Sequence, residues 1–165
     1  DCEIPEDQLL GKEGEGFKLA MTALDGGRIG IASQACGVAR AALEASVRYT
    51  KDRKAFNQPI AEFQAPRFMM ADMKVQLSAA ELLTFRAAYL KEQGQPFTRE
   101  ASMAKLYASE MASRVANKAL QIHGGMGYSK EMDAERHVRD ARITEIYEGT
   151  SEIQKMVIAD WVLKG

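Results

Sequence analysis

A chain of 165 residues, 46% hydrophobic and 27% charged, is large enough for one globular domain with a real core. Its net charge of −1, with the signs interspersed, leaves no basic footprint and argues against nucleic-acid binding. No apolar run reaches the length of a membrane span, and Cys2 and Cys36 lack metal-ligand spacing or a disulfide framework, so a reducing compartment fits.

The opening residues Asp1 to Asp7 read as the tail of a strand entering a connector, which Gly11, Gly14 and Gly16 keep loose. No targeting segment is visible in them. Residues 1–15 are therefore expected to be a connector, and 16–165 a helical domain. From about Gly16 to Tyr49, apolar or small residues recur at Ile31, Ala35, Val38, Ala42, Ala45 and Tyr49, the spacing of one helix face. A loop follows at Asp52–Pro59. A second helical pattern begins near Pro66 and carries Met70, Met73, Leu77, Ala80, Ala87 and Leu90, closed by Gly94 and Pro96. Thr98 is the expected cap of a third helix, whose face holds Ala104, Ala108, Met111, Val115, Ala119 and Ile122. Gly124 and Gly125 stop it. A short helix is expected over Met132–Arg139. A last one runs from about Ser151 to Leu163, with Ile153, Val157 and Trp161 on one face and a Ser151/Gln154 capping box at its start. Long helices with short loops predict an all-α, up-and-down four-helix bundle with one extra short helix.

Several local patterns are not ordinary bundle filler. In Asp25-Gly26-Gly27-Arg28, two glycines inside a helical pattern cost about 1 kcal/mol each relative to alanine, which makes sense if something approaches the backbone there. Arg53 and Gln64 flank the first loop, where a guanidinium can take a phosphate in forked geometry. Gln121-Ile122-His123-Gly124-Gly125-Met126-Gly127 holds more glycine than a helix stop needs, and such a turn can aim N–H groups at an anion. Glu148-Gly149-Thr150-Ser151-Glu152 places a carboxylate against a glycine directly before a helix N-terminus. A base beside a carbonyl-polarising N–H is what proton abstraction next to a carbonyl requires. His123 and His137 have no companions of metal-ligand type, so no metal centre is expected.

Taken together and in this order, these segments resemble the C-terminal part of an acyl-CoA dehydrogenase. The likeness rests on Leu24–Ala35, Asp52–Phe56, Gln121–Tyr128, Glu135–Arg142 and Thr144–Gln154, and is strongest to short-chain (butyryl-CoA) members. The resemblance implies a bundle domain preceded by a β domain, of which residues 1–10 would be a remnant, and an FAD-dependent oxidoreductase of fatty acid β-oxidation. It implies that Glu148 is the general base, with its own N–H polarising the thioester. Gly149 would lie against the acyl thioester, and Asp25, Gly26, Gly27 and Arg28 against the CoA portion. Thr150, Ser151 and Glu152 would contact FAD. Arg53, Gln64 and Gln121, Ile122, His123, Gly124 and Gly125 would contact the FAD of a neighbouring subunit in a homotetramer. An electron-transfer flavoprotein would accept the electrons. The compartment would be cytoplasmic in a bacterium and the mitochondrial matrix in a eukaryote. Members of isovaleryl type carry the base at the position of Gly27, which here cannot serve. Two alternatives stay open: an acyl-CoA oxidase-type domain, marked by oxygen consumption matching enoyl-CoA formation, and a non-catalytic helical oligomerisation module.

Overall fold

The computed structural model describes residues 1–164. Helix α1 spans Gly16–Asp52, α2 Gln64–Glu92, α3 Thr98–His123, α4 Gly125–Tyr128, α5 Ala134–Ile143 and α6 Ser151–Lys164. Between α1 and α2, strands β1 (Lys54–Ala55) and β2 (Gln58–Pro59) form a two-stranded antiparallel hairpin. Its strands are too short to show alternation in sequence; the turn rests on Phe56 and Asn57, both at positive φ. Residues 1–15 are exposed and carry one 3-10 turn at Glu6–Gln8 instead of a strand tail. No helix among the described residues is long and apolar enough to cross a membrane.

Side-chain ties give the directions of the helices. Cys36 meets Thr84 and Thr50 meets Met70, so α1 and α2 are antiparallel. Lys118 pairs with Asp72, and Arg86 with Glu100, so α2 and α3 are antiparallel as well. Lys155 pairs with Glu110 and Arg99 stacks over Trp161, which runs α6 back along α3. The four long helices thus alternate up and down, as their short connections require.

The core is rich in alanine. Ala32, Ala35, Ala39 and Ala42 of α1 face Ala104, Ala108, Ala112, Ala116 and Ala119 of α3, all at 0–1% exposure. Small side chains on facing helices let the backbones approach closely, and Met73, Leu77, Met111 and Val115 fill the space between them. The buried stripe of α1 lies one residue beyond the Ile31–Val38–Ala45 edge expected from periodicity, with Ala35 and Ala42 common to both.

Four local expectations are corrected. Thr98 is the first helical residue and not the cap; its hydroxyl is taken by Asp25 at 2.6 Å. The short helix begins and ends later than expected, at Ala134 and Ile143, because its buried residues are Ala134, His137 and Ala141. Ile153 and Trp161 of α6 stay exposed, while Ser151 and Gln154 are its buried residues. The Ser151/Gln154 capping box does not form: Thr150 Oγ1 stands 3.5 Å from the Ile153 N–H, and Gln154 reaches back to carbonyls ahead of the helix.

Candidate active site

Glu148 and Gly149 both have positive φ, +55° and +88°. For a residue with a side chain the left-handed region costs about 1–2 kcal/mol, so surrounding contacts must hold Glu148 there. Those contacts are visible. Gln154 Nε2 donates to the Glu148 carbonyl (3.1 Å) and to the Gly149 carbonyl (3.0 Å), and Lys105 Nζ on α3 donates to the Gly149 carbonyl (2.8 Å). Upstream, Ser151 N–H donates to the Glu145 carbonyl, while the Glu145 carboxylate accepts from Ser113 and Arg142. Tyr147 donates to Gln34 of α1. The turn is tied to α1, α3 and α6 at once.

The result is a carboxylate delivered to one place. A Cβ added at Gly27 would lie 2.5 Å from Glu148 Oε2 and 2.8 Å from its carboxyl carbon. Gly27 is therefore glycine because the Glu148 carboxylate occupies the space beside it. Oε2 is buried and has no hydrogen-bond partner. Buried polar atoms are nearly always paired, and among the described residues Glu148 Oε2, Ser151 Oγ and Gln154 Oε1 lie unpaired within one seven-residue stretch. At the start of α6, the Glu152 N–H and then the Thr150 hydroxyl hold the Glu152 carboxyl below the usual carboxylate range.

Beside Gly27 on α1, Asp25 and Arg28 are drawn into the protein. Arg28 is 6% exposed and donates to Asp25 (2.8 Å) and Ser102 (3.3 Å), and Thr98 closes the set on Asp25. Their heads tie α1 to α3, and the buried Arg28 Nε has no hydrogen-bond partner. Gly26 faces Lys91, whose Nζ would lie 3.0 Å from an added Cβ.

The remaining sequence candidates gather at the other end of the bundle. Tyr49 donates to the His123 carbonyl (3.3 Å) and its ring lies 4.4 Å from the His123 ring, while the Arg53 N–H bonds Tyr49 one turn on. Arg53, Gln64 and Gln121 are exposed. Ile122 and His123 turn inward, and His123 Nδ1 meets the Ala119 carbonyl at 2.7 Å. Gly124 (φ +59°) and Gly125 are open; a Cβ at either would meet nothing within 4 Å. From Gly27 to Arg53 is 26 helical steps, or roughly 39 Å at 1.5 Å per residue. The structure thus brings Gly27 against Glu148, and Tyr49, one turn before Arg53, against His123, with the two groups at opposite ends of α1.

Lys105 and Gln154 escaped sequence reasoning as site residues. Lys105 falls on a second buried stripe of α3, with Ala101, Ser109 and Ala112, and a lysine in a row of small residues was the available signal.

Comparison with known proteins agrees with this architecture. Residues 14–163 match the family model described as acyl-CoA dehydrogenase, C-terminal domain. The mitochondrial short-chain specific acyl-CoA dehydrogenase of Bos taurus is 60% identical over 164 residues, covering 99% of this chain and 40% of that protein. Butyryl-CoA dehydrogenase from Megasphaera elsdenii superposes with a TM-score of 0.96 at 52% identity, over 97% of this chain and 42% of that one. A chain of the structure described as the electron transferring flavoprotein of Acidaminococcus fermentans superposes with a TM-score of 0.98 at 51% identity, covering all of this chain and 43% of that one. The chain spans about two fifths of the length of these relatives. It belongs to the acyl-CoA dehydrogenase family and corresponds to the C-terminal domain of its members.

Proposed function

We propose that this chain is the C-terminal domain of a short-chain acyl-CoA dehydrogenase in which Glu148 removes the proton from the carbon next to the thioester. The observation that carries this reading is the Glu148 carboxylate itself. A strained turn holds it beside the bare backbone of Gly27, with Oε2 buried and unpaired. A carboxylate left open in this way can accept a proton without first breaking a hydrogen bond. The Glu148 N–H is the donor for the thioester carbonyl, where charge builds as the proton leaves, so it favours the transition state over the ground state.

The residues also fit this chain's share of an FAD site. Ser151 Oγ is an unpaired buried oxygen at the start of α6, Thr150 is beside it, and Gly124–Gly125 is an open backbone turn. FAD, when bound, supplies the acceptor for the hydride leaving the neighbouring carbon, and the substrate becomes a trans-2-enoyl thioester. Because Arg53 lies roughly 39 Å along α1 from Gly27, one FAD cannot contact both groups, and the Arg53, Gln64 and Gln121–Gly125 set serves the FAD of a second copy. Self-association follows from the same reading. Phe68, Val75, Leu82 and Tyr89 of α2 are all exposed and seven residues apart, a continuous apolar stripe suited to a second copy in a tetramer. The flavin would pass its electrons to an electron-transfer flavoprotein. Residues 1–15 belong to the connector from a preceding β domain. The isolated chain folds and self-associates but is inactive, since it supplies only part of the site.

The test is Glu148→Gln in the full-length enzyme. Turnover of butyryl-CoA should fall roughly 10²- to 10⁴-fold, with flavin content and substrate binding preserved. Near wild-type turnover would end the assignment.

A further inference from the structure

Lys105 has 0% exposure and is the largest fully buried side chain among the described residues. Burying an amine is costly unless it is hydrogen-bonded, and a methionine or leucine would fill the same space without that cost. Desolvation pushes the Lys105 pKa below the usual lysine range, against the opposing pull of Glu145 and, more weakly, Glu148 and Glu152; Arg28 acts in the same direction as burial. No carboxylate lies within ion-pair distance of Nζ among the described residues. Its hydrogen bond goes instead to the Gly149 carbonyl, 2.8 Å away. Gln154, also fully buried, divides its amide between that carbonyl and the one before it. Two buried polar side chains from different helices thus converge on the two carbonyls of one left-handed turn.

We propose that Lys105 and Gln154 are positioning residues that lock the Glu148–Gly149 turn, so that the Glu148 carboxylate is held beside Gly27 before substrate arrives. The proposal rests on Glu148 being the base. Neither side chain need touch the reacting atoms. Lys105 approaches from α3 and Gln154 from one turn inside α6, and between them they fix the direction in which both peptide planes face. If the turn relaxes to ordinary negative φ, the Glu148 side chain leaves the space that Gly27 keeps clear. A misplacement of about 1 Å in a reacting group can cost on the order of 10²-fold in rate.

The experiment uses full-length, flavin-loaded enzyme carrying Lys105→Met, Gln154→Met or Lys105→Gln, the last of which keeps an N–H donor. Turnover of butyryl-CoA per bound flavin should fall roughly 10- to 100-fold in the two methionine variants, with substrate dissociation constants little changed. The kinetic isotope effect from deuterium on the carbon next to the thioester should rise, as proton abstraction becomes the slow step, and Lys105→Gln should recover part of the loss. Wild-type turnover per flavin in the methionine variants overturns the proposal. So does a loss confined to flavin content or stability, which a purely structural role would produce. If Lys105→Met yields no loaded enzyme, Gln154→Met is judged by the same two criteria. Glu148→Gln is run alongside: if that variant turns over normally, the assignment of the base fails, whereas normal turnover in the methionine variants alone rejects only the positioning role.

Discussion

The two ends of the bundle are built on opposite plans. At the Glu148 end, three helices supply buried donors, a strained turn is tied down on several sides, and Asp25 and Arg28 are closed into an α1–α3 network. At the Arg53 end, the polar candidates are exposed, and the glycines of Gly124–Gly125 face open space. One end is tied down by contacts within this chain; the other presents exposed polar groups and open glycines. Rigid placement belongs where a proton must move over a short distance, since geometry controls rate there. On the proposed reading the other end completes a neighbour's site, and such a surface can stay open until assembly.

The largest effect that separates the ends is expected at Gly27. Gly27→Val in the full-length enzyme sets a branched side chain where the Glu148 carboxylate lies, so turnover should drop roughly 100-fold. Gly125→Val at the other end meets no atom within 4 Å in the chain itself, and should weaken flavin retention and leave the fold intact. Comparable turnover in the two variants, per bound flavin, would erase the distinction. Gly124→Ala comes next. Its φ of +59° is strained for a side chain, and a loss of about 1–3 kcal/mol in unfolding free energy should appear on denaturant titration. Paired Val75→Lys and Leu82→Lys substitutions on the exposed stripe of α2 should shift sedimentation toward smaller species without lowering helix content. An unchanged sedimentation profile would place the contact between copies elsewhere.

The smallest expected effect is a pH dependence of stability at His137. Burial, opposed by Asp133, holds its pKa below the ordinary histidine value. Above that ordinary value the ring is neutral in both states and contributes no slope. As pH falls below it, the unfolded chain takes the proton more readily, so stability declines until the folded-state pKa is passed. Between about pH 7 and about pH 5, the melting temperature should fall more steeply for the wild type than for His137→Gln.

Much of the bundle was legible in sequence because its signals are periodic. The face Ala104–Ala108–Met111–Val115–Ala119–Ile122 is buried as its spacing requires, and Gly124 ends α3. Two of the misreadings fall where a side chain had two possible partners. Thr98 looked like a cap but bonds Asp25, 73 residues away. Gln154 fitted a capping box, yet the left-handed turn at Glu148–Gly149 offers it two carbonyls instead. Local propensity cannot rank such partners, because the competing one arrives only through tertiary packing. Glu148 stood out by its place against a glycine before a helix, a motif that by itself more often marks only a favourable charge at a helix N-terminus, and the role of base came from the family resemblance. What the structure adds is its relation to Gly27, which no spacing in sequence could reveal.

The role of Glu148 as base is tested most directly by solvent deuterium exchange into acetyl-CoA, which has protons next to the thioester but no hydride to give. Full-length enzyme should catalyse that exchange well above the rate in buffer, and Glu148→Gln, with flavin and thioester still bound, should bring it back to the rate in buffer. Equal exchange by the two enzymes would contradict the assignment of Glu148.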